Sequence, residues 1–133
     1  MKILSSKERA SRKGPADWFT GNVWLDEIAA GVEPSRLGFF RVSFEPGART
    51  AWHTHPVGQT LHVLNGSGLV QLEGQKIQEI HPGDTVVIAP NERHWHGATA
   101  NHTMVHLAIQ EMDAKGVNVV WMERVTDEEY NAR

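Results

Sequence analysis

The chain reads as all-β, a barrel or sandwich of many antiparallel strands, and three observations say so. Short runs of alternating apolar and polar residues recur at intervals of about ten residues. Gly, Pro and Asn punctuate those runs, often as turn pairs such as Pro46-Gly47, Asn65-Gly66 and Pro82-Gly83. Only Thr126-Asp-Glu-Glu129 carries a helix-start signature, a capping box that opens a short C-terminal turn.

Each strand then follows from its own pattern. Leu37–Glu45 alternates and stops at Pro46-Gly47. Gln59–Leu64 stops at Asn65-Gly66, Leu69–Glu73 at Gly74, Lys76–Ile80 at Pro82-Gly83 and Thr85–Ala89 at Pro90. His102–Gln110 and Val117–Met122 are the last two strands. Strand side chains alternate between faces. Phe40, Val42 and Phe44 therefore share a face that looks inward, and Gln59, Leu61 and Val63 share another, opposite His62. In the strand that contains His106 both faces are apolar, so parity leaves open which one lines the interior.

Composition limits what such a fold can do. The 133 residues are one domain's length, expected as a single domain over 1–133, with 40% hydrophobic and 22% charged residues. Net charge is −3, and the one basic stretch, Ser5 to Lys13, lacks interleaved aromatics. It reads as a solvated arm, so no nucleic-acid partner is expected. The absence of cysteine excludes disulfides, thiol catalysis and thiolate ligation. No apolar run approaches the ~18 residues of a membrane span, and the start of the chain lacks a signal-peptide core. A soluble, cytoplasmic protein with no membrane partner is expected. The eight histidines are the unusual count, and histidine is the commonest transition-metal ligand.

Those histidines are grouped. His53 and His55 are two residues apart and share a strand face, Gln59 follows a Pro-Val-Gly break, and a second group, His94-Trp95-His96, lies far downstream. Two same-face imidazoles, a third from a distant strand and one oxygen donor can close around a divalent metal.

Gly47, His53, His55, Gln59 and Gly66 stand at the spacing of the first motif of the cupins, and Gly83 to His94 resembles the second. The chain is thus similar to a family of small double-stranded β-helix (jelly-roll) barrels, with its metal motifs at about 47–66 and 83–98. Two positions depart from the family pattern: Gln59 replaces the usual Glu, and Asn91 stands where Gly is usual. GPADWFTG (14–21), FEPGARTAWHTHPVGQTL (44–61), EIHPGD (79–84), HWHGA (94–98), HLAIQE (106–111) and WMERVTDEEY (121–130) resemble a narrower group, the small bacterial cupins with manganese-dependent hydroxynitrile lyase activity.

That resemblance implies His53, His55, Gln59 and His94 as metal ligands and His106 as the general base. It implies a divalent metal, manganese foremost, with iron, cobalt, nickel or zinc permitted by the nitrogen and oxygen donors. The implied substrates are a cyanohydrin, or an aldehyde plus cyanide, and the implied assembly is a homo-oligomer, a dimer or tetramer. Phe40, Val42, Leu61 and Gln110 are on or near the inner faces and are expected to shape the substrate pocket. His96 has the parity of His94 and is expected beside the metal. The five tryptophans read as core or interface anchors. Two alternatives remain: an iron cupin dioxygenase or small-acid decarboxylase, and a non-catalytic metabolite-binding barrel.

Overall fold

The computed structural model describes residues 1–133. Its strands are β1 (Arg12–Lys13), β2 (Phe19–Thr20), β3 (Val23–Ala30), β4 (Leu37–Phe44), β5 (Arg49–Thr50), β6 (His53–Thr54), β7 (Gln59–Gly66), β8 (Gly68–Leu72), β9 (Gln78–Ile80), β10 (Thr85–Ile88), β11 (His94–Ala98), β12 (Met104–Glu111) and β13 (Val120–Trp121). One helical turn, α1 (Asp127–Tyr130), closes the chain, and its Thr126–Glu129 capping box forms as the sequence predicts. No helix is long and apolar enough to cross a membrane.

Two antiparallel sheets result. The first has the order β1-β3-β4-β12-β7-β10, and the second has β13-β6-β11-β5-β2, with β8 joining β11 to β9. Long strands and an almost unbroken register build the first. β12 pairs with β4 from Met104↔Phe44 to Glu111↔Leu37, and with β7 through His106↔Val63 and Gln110↔Gln59. This register settles the inward face of β12. Met104, His106 and Ala108 are buried beside Val42, Phe44, Leu61 and Val63, whereas Val105, Leu107 and Ile109 are half-buried on the outside.

The main core lies between the sheets, where Phe19, Ile80 and Ala98 of the second pack against these residues of the first. A second cluster, Trp52, Leu69, Trp95, Val125 and Tyr130, is on the other face of the second sheet, under α1. Period-2 alternation explains it: Trp52 and Trp95 flank His53 and His94 and must point the opposite way. Buried Arg49 ties the C-terminal turn down, its guanidinium donating to the Val125 carbonyl (3.2 and 2.9 Å) and to Asp127 (2.7 Å).

β3 is absent from the strands expected above. Its alternation is broken by a bulge between Glu27 and Ala29, so the pattern changes face midway. The basic arm is solvated as expected, yet Arg12 and Lys13 also pair with Leu25 and Trp24 as an edge strand.

Candidate metal centre and its cavity

Short strands of the second sheet carry the histidine cluster. His53 of β6 and His94 of β11 are direct cross-strand partners, with ring centroids 4.2 Å apart. His55 follows β6, and its carbonyl accepts from the N–H groups of Gly58 (3.1 Å) and Asn91 (2.9 Å). Asn91 takes φ 65°, the left-handed turn that asparagine tolerates, so it serves where a glycine is usual. Gly58 is needed for a steric reason: at φ 83° a β-carbon would meet the Ile88 carbonyl oxygen at 2.7 Å. That turn delivers Gln59, the first residue of β7, to the cluster.

Three of the rings are anchored alike. Nδ1 of His53 is 2.9 Å from the Ala51 carbonyl oxygen, that of His55 is 2.6 Å from Asn118, and that of His94 is 2.8 Å from Glu92. A carbonyl can only accept, so each Nδ1 carries the proton, and each neutral ring turns an Nε2 lone pair inward. Burial keeps all three neutral. It holds His53 well below the usual imidazole range, assisted by the neighbouring His94 and His55 rings; it lowers His55, and it lowers His94 to about 4.

Gln59 is at the focus of these rings. Its Oε1 is 3.2 Å from Nε2 of His94, and its side chain also contacts His53 and His55. With the tautomers fixed by the carbonyls, no proton lies between Gln59 Oε1 and His94 Nε2. The arrangement brings lone pairs together, which is unfavourable until a cation shares them. His55 Nε2 has no partner at all. The donor set therefore fits a divalent metal.

His96 and His106 are held differently. Nε2 of His106 is 2.9 Å from Nδ1 of His96, ring to ring, and Phe44 packs against both. His96 Nε2 and His106 Nδ1 have no partner. Burial is the main reason both are neutral, holding His96 well below its usual range and His106 at about 4. Ligand atoms of His53, His94 and His96 all lie within 4.8 Å of one another, so a buried three-histidine group able to hold a metal is present. An unpaired buried polar atom costs about 1–3 kcal/mol, so a core built only for stability would have apolar side chains here.

A cavity of 420 Å³ opens onto three of these rings, those of His53, His55 and His96, with His94 outside its wall. Its wall includes His53, His55, Gln59 and His96, an apolar side formed by Phe19, Leu25, Phe40, Val42 and Trp121, and a rim with Arg12 and Lys13. No carboxylate lines it.

Of the residues expected to shape the pocket, Phe40, Val42 and Gln110 are on this wall, and so is His96, which was expected beside the metal. Leu61 is not, being fully buried opposite Ala108 in the main core; His106, expected as the base, is also fully buried and off the wall, bonded to His96. Sequence reading missed Trp18 and Trp121, which stack at 5.3 Å on the wall, and Asn118, whose carbonyl anchors His55. No spacing signal marks a backbone carbonyl, and tryptophan is as readily a core residue; Trp52 and Trp95 are indeed core.

Comparison with known proteins agrees with this architecture. Residues 40–110 match the cupin domain family. The chain is 55% identical over 131 residues to an (R)-mandelonitrile lyase of Granulicella tundricola, covering 98% of each. Among solved structures, a cupin-like protein of Thermotoga maritima superposes with a TM-score of 0.84 at 40% identity, covering 96% of this chain and 95% of that one. The polyketide cyclase RemF of Streptomyces resistomycificus shares the fold, with a TM-score of 0.73 at 18% identity over 98% and 90% of the two chains. With two sheets, paired metal motifs and near full-length relatives, the chain belongs to the cupin family.

Proposed function

We propose that the protein is a metal-dependent hydroxynitrile lyase, which reversibly cleaves an aryl cyanohydrin such as mandelonitrile to an aldehyde and cyanide. The observation that carries the reading is the set of three carbonyl-anchored Nε2 lone pairs around the Gln59 oxygen, beside an apolar cavity that His53, His55 and Gln59 line. The relative from Granulicella tundricola, 55% identical over nearly the whole chain, supports the activity.

The metal ligands in this reading are His53, His55, Gln59 and His94. His96 is set apart because its Nδ1 faces a ring, so nothing fixes its inward nitrogen as a lone pair. All four donors are neutral, so these residues would leave a divalent ion, manganese in our reading, its full charge for stabilising an alkoxide or cyanide. The cavity's own residues do the rest. Phe40, Val42, Leu25 and Trp121 hold the aryl ring and exclude water. The hydroxyl proton passes to the His96–His106 pair, which burial keeps neutral, with a lone pair free to accept it. His96 reaches the cavity, and His106 behind it is the base that takes up the charge. As the O–H electrons form the C=O bond, the C–C pair leaves with cyanide, and the proton returns to it as hydrogen cyanide.

Release of benzaldehyde from mandelonitrile by manganese-loaded protein, above the uncatalysed rate, is the expected result. No release, with oxygen consumption on Fe(II)-loaded protein, would instead indicate a dioxygenase. The same reading includes a homo-oligomer, supported by exposed Trp24, Leu64 and Val87 on the outer face of the first sheet. Sedimentation at micromolar concentration checks it, and a monomer would remove it.

A further inference from the structure

Gln59 differs from a carboxylate ligand in one respect that the structure makes consequential. A carboxylate has two equivalent oxygens, so whichever way it turns an oxygen faces the cation. A primary amide has one oxygen and one NH2 group, and the wrong rotamer would point two N–H bonds at the metal. Some neighbour has to choose between the two orientations.

Gln110 is in position to choose. It is the direct cross-strand partner of Gln59 in the β7–β12 pair. Its Oε1 accepts a hydrogen bond from Gln59 Nε2 at 3.2 Å, on the side of the amide away from His94. With the NH2 group so engaged, Oε1 is the atom left facing the three Nε2 lone pairs.

We propose that Gln110 is a positioning residue that orients the Gln59 amide oxygen toward the metal, rather than only a part of the substrate wall. The proposal rests on the assignment of Gln59 as a ligand made above. It deepens that assignment, because a neutral oxygen ligand works in this barrel only when a second residue holds its orientation. Replacing the partner should lower metal affinity by about 10- to 100-fold, the usual effect of losing a hydrogen bond to a ligand.

The test is a set of Mn(II) titrations in which free ion is counted by its electron paramagnetic resonance signal. Thermal melts confirm that each variant is folded. Gln110→Leu should bind Mn(II) about 10-fold or more weakly, whereas Gln110→Glu, which still accepts from Gln59 Nε2, should bind as tightly as the parent or more so. Placed on a Gln59→Glu background, Gln110→Leu should produce no loss, since a carboxylate needs no orienting. If Gln110→Leu fails to fold, Gln110→Met takes its place in both backgrounds. Unchanged affinity in the parent background would overturn the proposal, as would an equal loss in both backgrounds, which would mean packing alone. Gln59→Ala separates the two claims: if it binds Mn(II) like the parent, the ligand assignment itself fails.

Discussion

The two halves of the histidine cluster are equally buried but held by different partners. His53, His55 and His94 each give an Nδ1 proton to a backbone carbonyl, so their inward nitrogens are committed as lone pairs. His96 and His106 share a ring-to-ring bond, and the proton in it can belong to either. The first arrangement suits a ligand, whose protonation state must not change. The second suits a group that takes up and returns a proton. Anchoring, more than burial or spacing, separates the roles of five similar side chains.

The largest effects should come from the carbonyl-anchored half. His53→Ala or His94→Ala should remove most bound metal and all activity, as elemental analysis by inductively coupled plasma would read. His55→Ala should behave alike, and His96→Ala should keep its metal. The reverse result for that last pair would exchange His55 for His96 in the ligand set.

Next in size is the ring-paired half. His106→Ala should stay folded, retain metal and lose about 10²-fold or more in rate, together with an acid limb of the pH–rate profile that burial moves from the usual imidazole range down to about 4. Near-parental turnover in folded, metal-replete variant would leave the metal as the only catalytic group. Gln59→Glu should have a smaller effect, keeping or raising occupancy while lowering the rate, because added negative charge weakens the pull on an alkoxide or cyanide. Equal rates at equal occupancy would mean that ligand neutrality has no catalytic importance.

A separate effect, on stability and not on rate, belongs to the metal-free protein. Unfolded histidine titrates near ~6.5, whereas burial lowers His94 and His106 to about 4 in the fold. Between these values the unfolded chain binds more protons, so stability should fall as pH drops from about 6.5 toward 4. Urea midpoints of the apo-protein across that range would show it, and a flat profile would contradict the burial of the cluster.

How much of this the sequence contained depended on period and distance. Turn residues mark where β10 and β12 begin or end. β4 and β7 keep alternation along their length, so their existence and faces are legible. β3 was not, because the Glu27–Ala29 bulge moves its apolar residues across faces partway. The strand that carries His53, β6, is only two residues long, and only motif spacing makes it visible. The inward face of β12 needed the register with β4 and β7. The Gln59–Gln110 and His96–His106 contacts join residues far apart in sequence, and no local pattern encodes them.

The second core under α1 has a mechanical consequence. Each ligand-bearing strand has an outward companion to its histidine: Trp52 precedes His53, and Arg93 precedes His94. Those two are clasped together on the outside, with the Arg93 guanidinium 4.5 Å above the Trp52 ring and paired with Glu73 and Glu123. Such half-exposed ion pairs add only ~0–1 kcal/mol each. Their leverage is geometric, because a strand turned about its axis on the outside swings the imidazole on the inside. A change at the Trp52–Arg93 clasp would therefore be felt as a change in the spacing of the His53 and His94 rings, from residues on the opposite face of the sheet.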